Sequence, residues 1–195
     1  MRKIIVSNIM SLDSYYTGPN NNIMVMPMDD AFNNYNVERL RAADTLLLGA
    51  NSYEGFRRYW PAIADDPTSS ADNREISRLN SAMPKVVVSD SLDLVQIGPW
   101  SNARVIRRAD AYEELAALKR QEGKEILIFG SHTLWTALLA HDLVDELHLM
   151  MGHVTGGGGT PIFPGPQPLS LRLLDTPRTW EASDNIVVRY EVRHK

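Results

Sequence analysis

Glu125-Ile126-Leu127-Ile128-Phe129, running into Gly130-Ser131-His132-Thr133, reads as a short buried strand that breaks at a glycine and restarts as a helix. Four consecutive apolar residues, Ile126 to Phe129, closed by a glycine turn are too few for a buried helix and fit an interior strand. The pattern from Thr133 through Ala140 is helical. A strand, a glycine turn and a helix in that order form the repeating unit of an α/β fold. The same unit recurs on either side of it. Lys3 to Ile9 predicts a first strand, and the polar run Ser11 to Asn22, with Gly18-Pro19 and three successive Asn, predicts a loop. Asp29 to Ala43 predicts a helix carrying Phe32, Val37 and Leu40. Thr45 to Leu48 predicts a second interior strand ending at Gly49.

Three segments have the form of capping boxes, Asn51-x-x-Glu54, Asp72-x-x-Glu75 and Asp110-x-x-Glu113, each predicting a helix start. The first of these helices is expected to stop near Trp60-Pro61, the second at Pro84 and the third at Gly123. Lys85 to Ser89 and Ala103 to Arg107 predict two more strands, and Asp145 to Val154 a long one. Ile186 to Val192 predicts a last strand, with no helix before it. The expected architecture is a single α/β domain over residues 1–195, a three-layer αβα arrangement. Its central sheet is mostly parallel, with an antiparallel C-terminal edge.

Composition narrows the chemistry. A chain of 195 residues, 44% hydrophobic and 23% charged, has the length to bury one full core. Its net charge of −4 argues against a general nucleic-acid binder, which must neutralise phosphates with Lys and Arg. With no cysteine, thiolate nucleophiles, disulfides, Cys-ligated zinc and iron–sulfur clusters are excluded. The apolar run after Met1-Arg2-Lys3 is too short for a signal-peptide core. No stretch approaches the ~20 apolar residues of a membrane span, so a cytoplasmic location is expected. A serine-nucleophile elbow, a phosphate-binding P-loop and a zinc HExxH motif are all missing. His148 and His153 lack a third ligand at a recognisable spacing and read as strand residues, leaving no metal site. Asp65-Asp66 reads as solvated loop, Gly156 to Gly159 as a turn, and Trp60, Trp100 and Trp135 as packing residues.

Open parallel sheets bind ligands at the carboxyl ends of their strands. Two strand ends suit an anion there: Gly49-Ala50-Asn51-Ser52, and Phe129-Gly130-Ser131-His132-Thr133-Leu134. Each places a glycine and small polar residues where a helix N-terminus offers free N–H groups. Either alone also fits ordinary turn chemistry. A pair of them on neighbouring strands suits a dinucleotide better than a single phosphate.

A chain-long set of motifs sharpens this. Ile5-Val6-Ser7 with Ser11-Leu12-Asp13, then Leu46-Leu47-Leu48-Gly49 with Ser52-Tyr53-Glu54, Phe56 and Trp60-Pro61, come first. Lys85-Val86-Val87-Val88-Ser89, Trp100-x-Asn102 and Ile126-Leu127-Ile128-Phe129-Gly130-Ser131 follow. Leu143 to Leu147 and Gly159-Thr160-Pro161-Ile162-Phe163-Pro164 complete the order. In this sequence they resemble the dihydrofolate-reductase-like superfamily, in the bacterial branch related to the C-terminal reductase domain of the bifunctional riboflavin biosynthesis protein. The resemblance implies NADPH as hydride donor. It puts the adenosine phosphates at Gly49 to Ser52 with help from Ser89, and the diphosphate along Phe129 to Leu134. The nicotinamide would lie near Ile9, beneath the loop carrying Asn22 and Ile23. Met10, Asp13 and Phe32 would face the substrate, and Asp29 or Asp30 would supply the acidic group of the first helix. For Asp13, ordering of its own loop is an equal reading, and for Asp29 and Asp30 so is capping of a helix.

Three departures from the family pattern stand out. Ala50 replaces the Arg that pairs with the 2′-phosphate in many dihydrofolate reductases, leaving Arg57, Arg58 or Arg107 as substitutes. Ser131 replaces the second of two glycines that dihydrofolate reductases join by a cis peptide, a geometry costing ~3 kcal/mol without proline. Ser14 replaces a glycine after Ser11-Leu12-Asp13. The expected activity is hydride transfer to a C=N or C=O group of a small pterin- or pyrimidine-like substrate. The rival expectation is a non-catalytic nucleotide-binding or ligand-sensing protein on the same fold. Homodimerisation is expected from the resemblance alone.

Overall fold

The computed structural model describes residues 1–93, 100–165 and 168–194. Its nine strands are β1 (Ile4–Met10), β2 (Ala43–Gly49), β3 (Lys85–Val88), β4 (Ala103–Ile106), β5 (Glu125–Phe129), β6 (Glu146–Met151), β7 (Leu171–Leu173), β8 (Arg178–Trp180) and β9 (Ser183–Val192). Among the described residues five α-helices join them: α1 (Asp30–Ala42), α2 (Ala50–Ile63), α3 (Ala71–Ala82), α4 (Ala111–Arg120) and α5 (His132–Ala140). The strands lie in the order β4-β3-β2-β5-β1-β6-β9-β7, with β8 also paired to β9. From β4 to β6 every pairing is parallel; β9 is antiparallel to β6, β7 and β8. This is the mixed α/β architecture the sequence predicts, antiparallel edge included.

Period-two alternation sorts each strand onto two cores. Ile4, Val6, Leu47, Ile126 and Ile128 pack with Leu115 and Leu118 of α4 and Trp135 and Leu138 of α5. Ile5, Leu46, Leu48 and Leu127 pack on the other face with Val37 and Leu40 of α1, Tyr53 of α2 and Ile76 of α3. Helices after β1 and β2 therefore lie on one face of the sheet, and the helix after β5 on the opposite one. Strands β2 and β5 are neighbours. Where they end, the chain departs to opposite sides and leaves a crevice, the topological switch point of such a sheet. Because β9 runs antiparallel, with Met151 opposite Ile186 and Glu146 opposite Glu191, it returns the chain to the edge where β1 begins.

Several helix boundaries differ from the sequence expectation. Asn51 is not a cap: Gly49 is, in extended geometry and without a side-chain bond, so α2 starts at Ala50. Ser70, not Asp72, caps α3, its hydroxyl accepting from the Asn73 N–H at 3.1 Å. Asp110 does cap α4 by position, but its own backbone is helical and its carboxylate makes no capping bond. Pro61 lies inside α2, which continues to Ile63. A proline in the last turn forfeits a single helical bond, and Ser77 donates its hydroxyl to the Trp60 carbonyl, tying that turn to α3. Helix α4 ends at Arg120, before Gly123, and the long strand expected to reach Val154 stops at Met151. Strands β7 and β8, three residues each, carry no periodic signal long enough to read.

Candidate functional site

Four adjacent strand ends form the rim of the crevice: Ser89 after β3, Gly49 of β2, Gly130 after β5, and Ile9–Met10 of β1. At the usual strand spacing they span about 14 Å, so an extended ligand laid across them meets each in turn.

The centre of this row is tied together by backbone-to-side-chain bonds. The Gly49 N–H donates to Ser131 Oγ at 3.0 Å, and the Ser131 N–H donates to Ser52 Oγ at 2.9 Å. Gly130 donates its N–H to Asn8 Oδ1 at 2.9 Å. Gly130 and Ser131 are successive left-handed residues, at φ +58 and +52, and no cis peptide occurs among the described residues. The turn is made by two left-handed residues, the second a serine. A side chain at Gly130 would sit 3.1 Å from Ser52 Oγ and 3.4 Å from Tyr16 Oη. The glycine therefore keeps the crevice floor open.

The two helices that begin here share an electrostatic character. Helices α1, α3 and α4 each carry acid in the first turn: Asp30, Asp72, and Glu113 with Glu114. Helices α2 and α5 carry none, and neither has a side-chain cap. Among the described residues the N–H groups of His132 and Thr133 meet no acceptor. An N-terminus left positive and uncapped favours an anion. Side by side, these two fit the phosphates of a dinucleotide, and Gly130 supplies the room for close approach.

The remaining predicted residues are spread over several places. Ile9, Ile23 and Phe32 meet in one apolar cluster with Met26, Tyr35, Met150 and Val187, on the α1 side of β1 and β6. Met10, the next residue on the strand, points to the opposite face. There it joins Leu149, Met151, Phe163, Leu171, Val188 and Tyr190 around a cleft of about 310 Å³. Asn22 caps a single 3-10 turn, its side chain accepting from the Met24 N–H at 2.9 Å. Ser89 is buried, and its hydroxyl accepts from the N–H groups of Ser91 and Leu92. Leu134 packs against the α4–α5 core and Thr133 is exposed.

Both acidic candidates of the first helix have defined settings. Asp29 is the α1 cap, with Oδ1 accepting from the Phe32 N–H at 3.1 Å and from Asn185 Nδ2 at 2.9 Å, and Oδ2 from Ser183 Oγ at 2.5 Å. Burial alone would raise its pKa, but these donors outweigh burial and hold the carboxyl below its ordinary value. Asp30 is exposed at the first position of the helix. Asp13 accepts from Ser11 Oγ at 2.5 Å and from the Gly156 N–H at 2.7 Å, bonds that lower its pKa and fasten the loop after β1 to the glycine loop.

Sequence reasoning passed over Asn8, Tyr16 and a buried polar chain beneath the Ile9 cluster. Tyr35 Oη lies 2.8 Å from His148 Nδ1, and His148 Nε2 lies 2.9 Å from Glu146 Oε2. Lys3 Nζ donates to Glu146 Oε1 at 2.6 Å, and Arg189 approaches the same carboxylate at 3.7 Å. Burial pushes the Tyr35 hydroxyl up to about 12 and lowers His148. Glu146, which burial would raise, is brought down to about 2 by its bonds from His148 and Lys3. The signal for Asn8 was available: one amide inside the mostly apolar run Ile4–Met10, which is buried throughout.

The arginines proposed as substitutes for a 2′-phosphate partner all have carboxylate neighbours. Arg57 and Arg58 flank Glu54 at 3.1 and 3.6 Å, and Arg107 meets Asp93 at 3.0 Å. Among the described residues no group of three His, Cys, Asp or Glu is placed to hold a metal ion. None of their helices is long and apolar enough to cross a membrane.

The fold is that of the dihydrofolate reductases. It is shared with a solved dihydrofolate reductase of Enterococcus faecalis complexed with NADP(H). The two are 15% identical with a TM-score of 0.60, over 98% of this chain and 97% of that one. A solved riboflavin biosynthesis protein from Shewanella sp. PV-4 gives a TM-score of 0.67 at 20% identity, over 98% and 99% of the two chains. Residues 2–188 match the RibD C-terminal domain, and the chain belongs to that family. It is also 28% identical over 178 residues to the uncharacterised protein YyaP of Bacillus subtilis (strain 168), covering 90% of this chain and 88% of that one.

Proposed function

We propose that this protein is an NADPH-dependent reductase that delivers hydride to a C=N or C=O group of a small pterin- or pyrimidine-like heterocycle. The observation that carries the reading is the pair of uncapped, acid-free helix N-termini of α2 and α5, laced together at Gly49, Ser52 and Ser131. The cofactor, once bound, supplies the hydride. The protein's work is binding and orientation. Ser89 and the start of α2 take the adenosine side, Gly130 to Thr133 take the diphosphate, and Ile9 gives the nicotinamide ring an apolar bed. Ile23, Met26 and Phe32 keep water from the reacting carbon. Membership in the RibD C-terminal domain family supports a riboflavin-type substrate class.

The test is cofactor oxidation, followed by the loss of reduced-nicotinamide absorbance, against a panel of pterins, ribosylaminopyrimidines and small carbonyl compounds. Turnover of at least one heterocycle is expected. Binding should also register directly, because NADPH at 100 times its dissociation constant stabilises the fold by ~2.7 kcal/mol. No stabilisation by NADPH or NADH would overturn the reading.

One observation favours a second reading, a nucleotide-binding protein without turnover. Asp29 is committed to the α1 cap and to Ser183 and Asn185, and is held ionised. Stabilisation by NADPH with no oxidation on any substrate would select it. We also infer self-association through the apolar cleft beside β6, β9 and β7, where Phe163 is 39% exposed.

A further inference from the structure

Tyr16, to which the sequence reading assigned no ligand, belongs to the loop after β1. Its backbone is held by an N–H to Thr160 carbonyl bond of 2.7 Å. Its ring stacks on His132 at 4.8 Å and 17°, and His132 is itself anchored by Nε2 to the Ile162 carbonyl at 2.9 Å. The phenol is therefore fixed in place at the first residue of α5. Its oxygen lies 3.4 Å from the position a Gly130 side chain would take, and Ser52 Oγ lies 3.1 Å from that same point.

The groups gathered there are donors. Ser52 Oγ already accepts from the Ser131 N–H, so its own proton needs an acceptor. Tyr16 Oη has no hydrogen-bond partner among the described residues, and burial raises its pKa, keeping the phenol protonated. The N–H groups of His132 and Thr133 complete the set. Asn8 Oδ1, an acceptor at the turn, is taken by the Gly130 N–H. Four donors without an acceptor around a glycine gap are matched by an anionic oxygen, and charge-assisted bonds of this kind are the strong ones.

We propose that Tyr16 is a cofactor-binding residue that donates its phenol O–H, beside Ser52, to the diphosphate of the dinucleotide. This rests on the dinucleotide reading and adds to it a residue outside both helix starts. It also gives the loop after β1 a contact to the diphosphate.

The experiment compares wild type with Tyr16→Phe, which keeps the ring and its stacking on His132. Dissociation constants are measured by calorimetry for NADPH, for 2′-phospho-ADP-ribose, which retains the diphosphate, and for adenosine 2′,5′-bisphosphate, which lacks it. The expected result is a loss of roughly tenfold for the first two ligands and none for the third. The unfolding temperature of the free protein should not change. Equal affinities for all three ligands in the two proteins, or a uniform loss across them, would overturn the role of Tyr16 while leaving the cofactor reading intact. Failure of wild type to bind any of the three would overturn both.

Discussion

Ser131 shows how one residue carries both a cost and its compensation. A left-handed serine costs of order 1 kcal/mol where glycine would cost nothing. In exchange its hydroxyl satisfies the Gly49 N–H across the crevice, a bond no glycine makes. Ser131→Ala should therefore destabilise the fold by about 1–2 kcal/mol, since the strain stays and the N–H loses its partner; urea denaturation will measure it. The same crevice makes Ala50 informative. The arginines expected to stand in for a 2′-phosphate partner are engaged with Glu54 and Asp93. Ala50→Arg should raise the preference for NADPH over NADH by about tenfold, read as the ratio of the two dissociation constants. An unchanged ratio would place the adenosine ribose elsewhere. Gly130→Ala should lower affinity for both nucleotides, because the added methyl narrows the gap between Ser52 and Tyr16.

At the scale of elements, β6 and α1 are joined by the chain Lys3–Glu146–His148–Tyr35. Its response to pH follows from two depressed pKa values. Glu146 titrates at about 2 in the fold against an ordinary 4.5, so its stabilisation is complete above about 4.5 and fades as pH falls towards 2. His148 is lowered by burial, with Arg39 and Arg189 adding to that and Glu146 opposing it. The unfolded chain therefore takes up this proton first, and stability falls as pH drops below about 6.5. Glu146→Gln should cost about 2 kcal/mol or more at pH 7, and its gap from wild type should narrow through the range in which Glu146 protonates. Denaturation midpoints at pH 7, 5 and 3 will show it. None of this was legible beforehand, because His148 and Glu146 read only as alternating strand positions until α1 was laid across them. The strands themselves were legible, since apolar runs such as Thr45–Leu48 and Glu125–Phe129 admit few alternatives. Two helix starts were not. At Asn51 and Asp72 a polar residue followed three later by Glu suits both a cap and a first turn, and backbone angles decide between them, whereas Asp29 and Asp110 do stand at the cap positions of α1 and α4. The loss is instructive at α2, where the absence of the expected cap is what leaves its N-terminus free.

For the whole molecule, the strand ends at Gly49 and Phe129 are neighbours because β5 inserts between β2 and β1. That adjacency depends on strand order, which no local pattern encodes; only the chain-long order of motifs pointed to it. The inferred self-association predicts that light scattering will give twice the chain mass, and that Phe163→Asp will shift it towards one. Strand β9 has a further effect on how the molecule presents itself. By running back alongside β6 it brings Val192 to the level of Asp145, whose carbonyl accepts the Val192 N–H at 2.9 Å, while Arg2 at the other extremity bonds to Lys119. Both extremities thus leave from the rim opposite the crevice. Anchored by either one to a bead, an electrode or a fusion partner, the protein would stand with its crevice facing outward into the bulk solution.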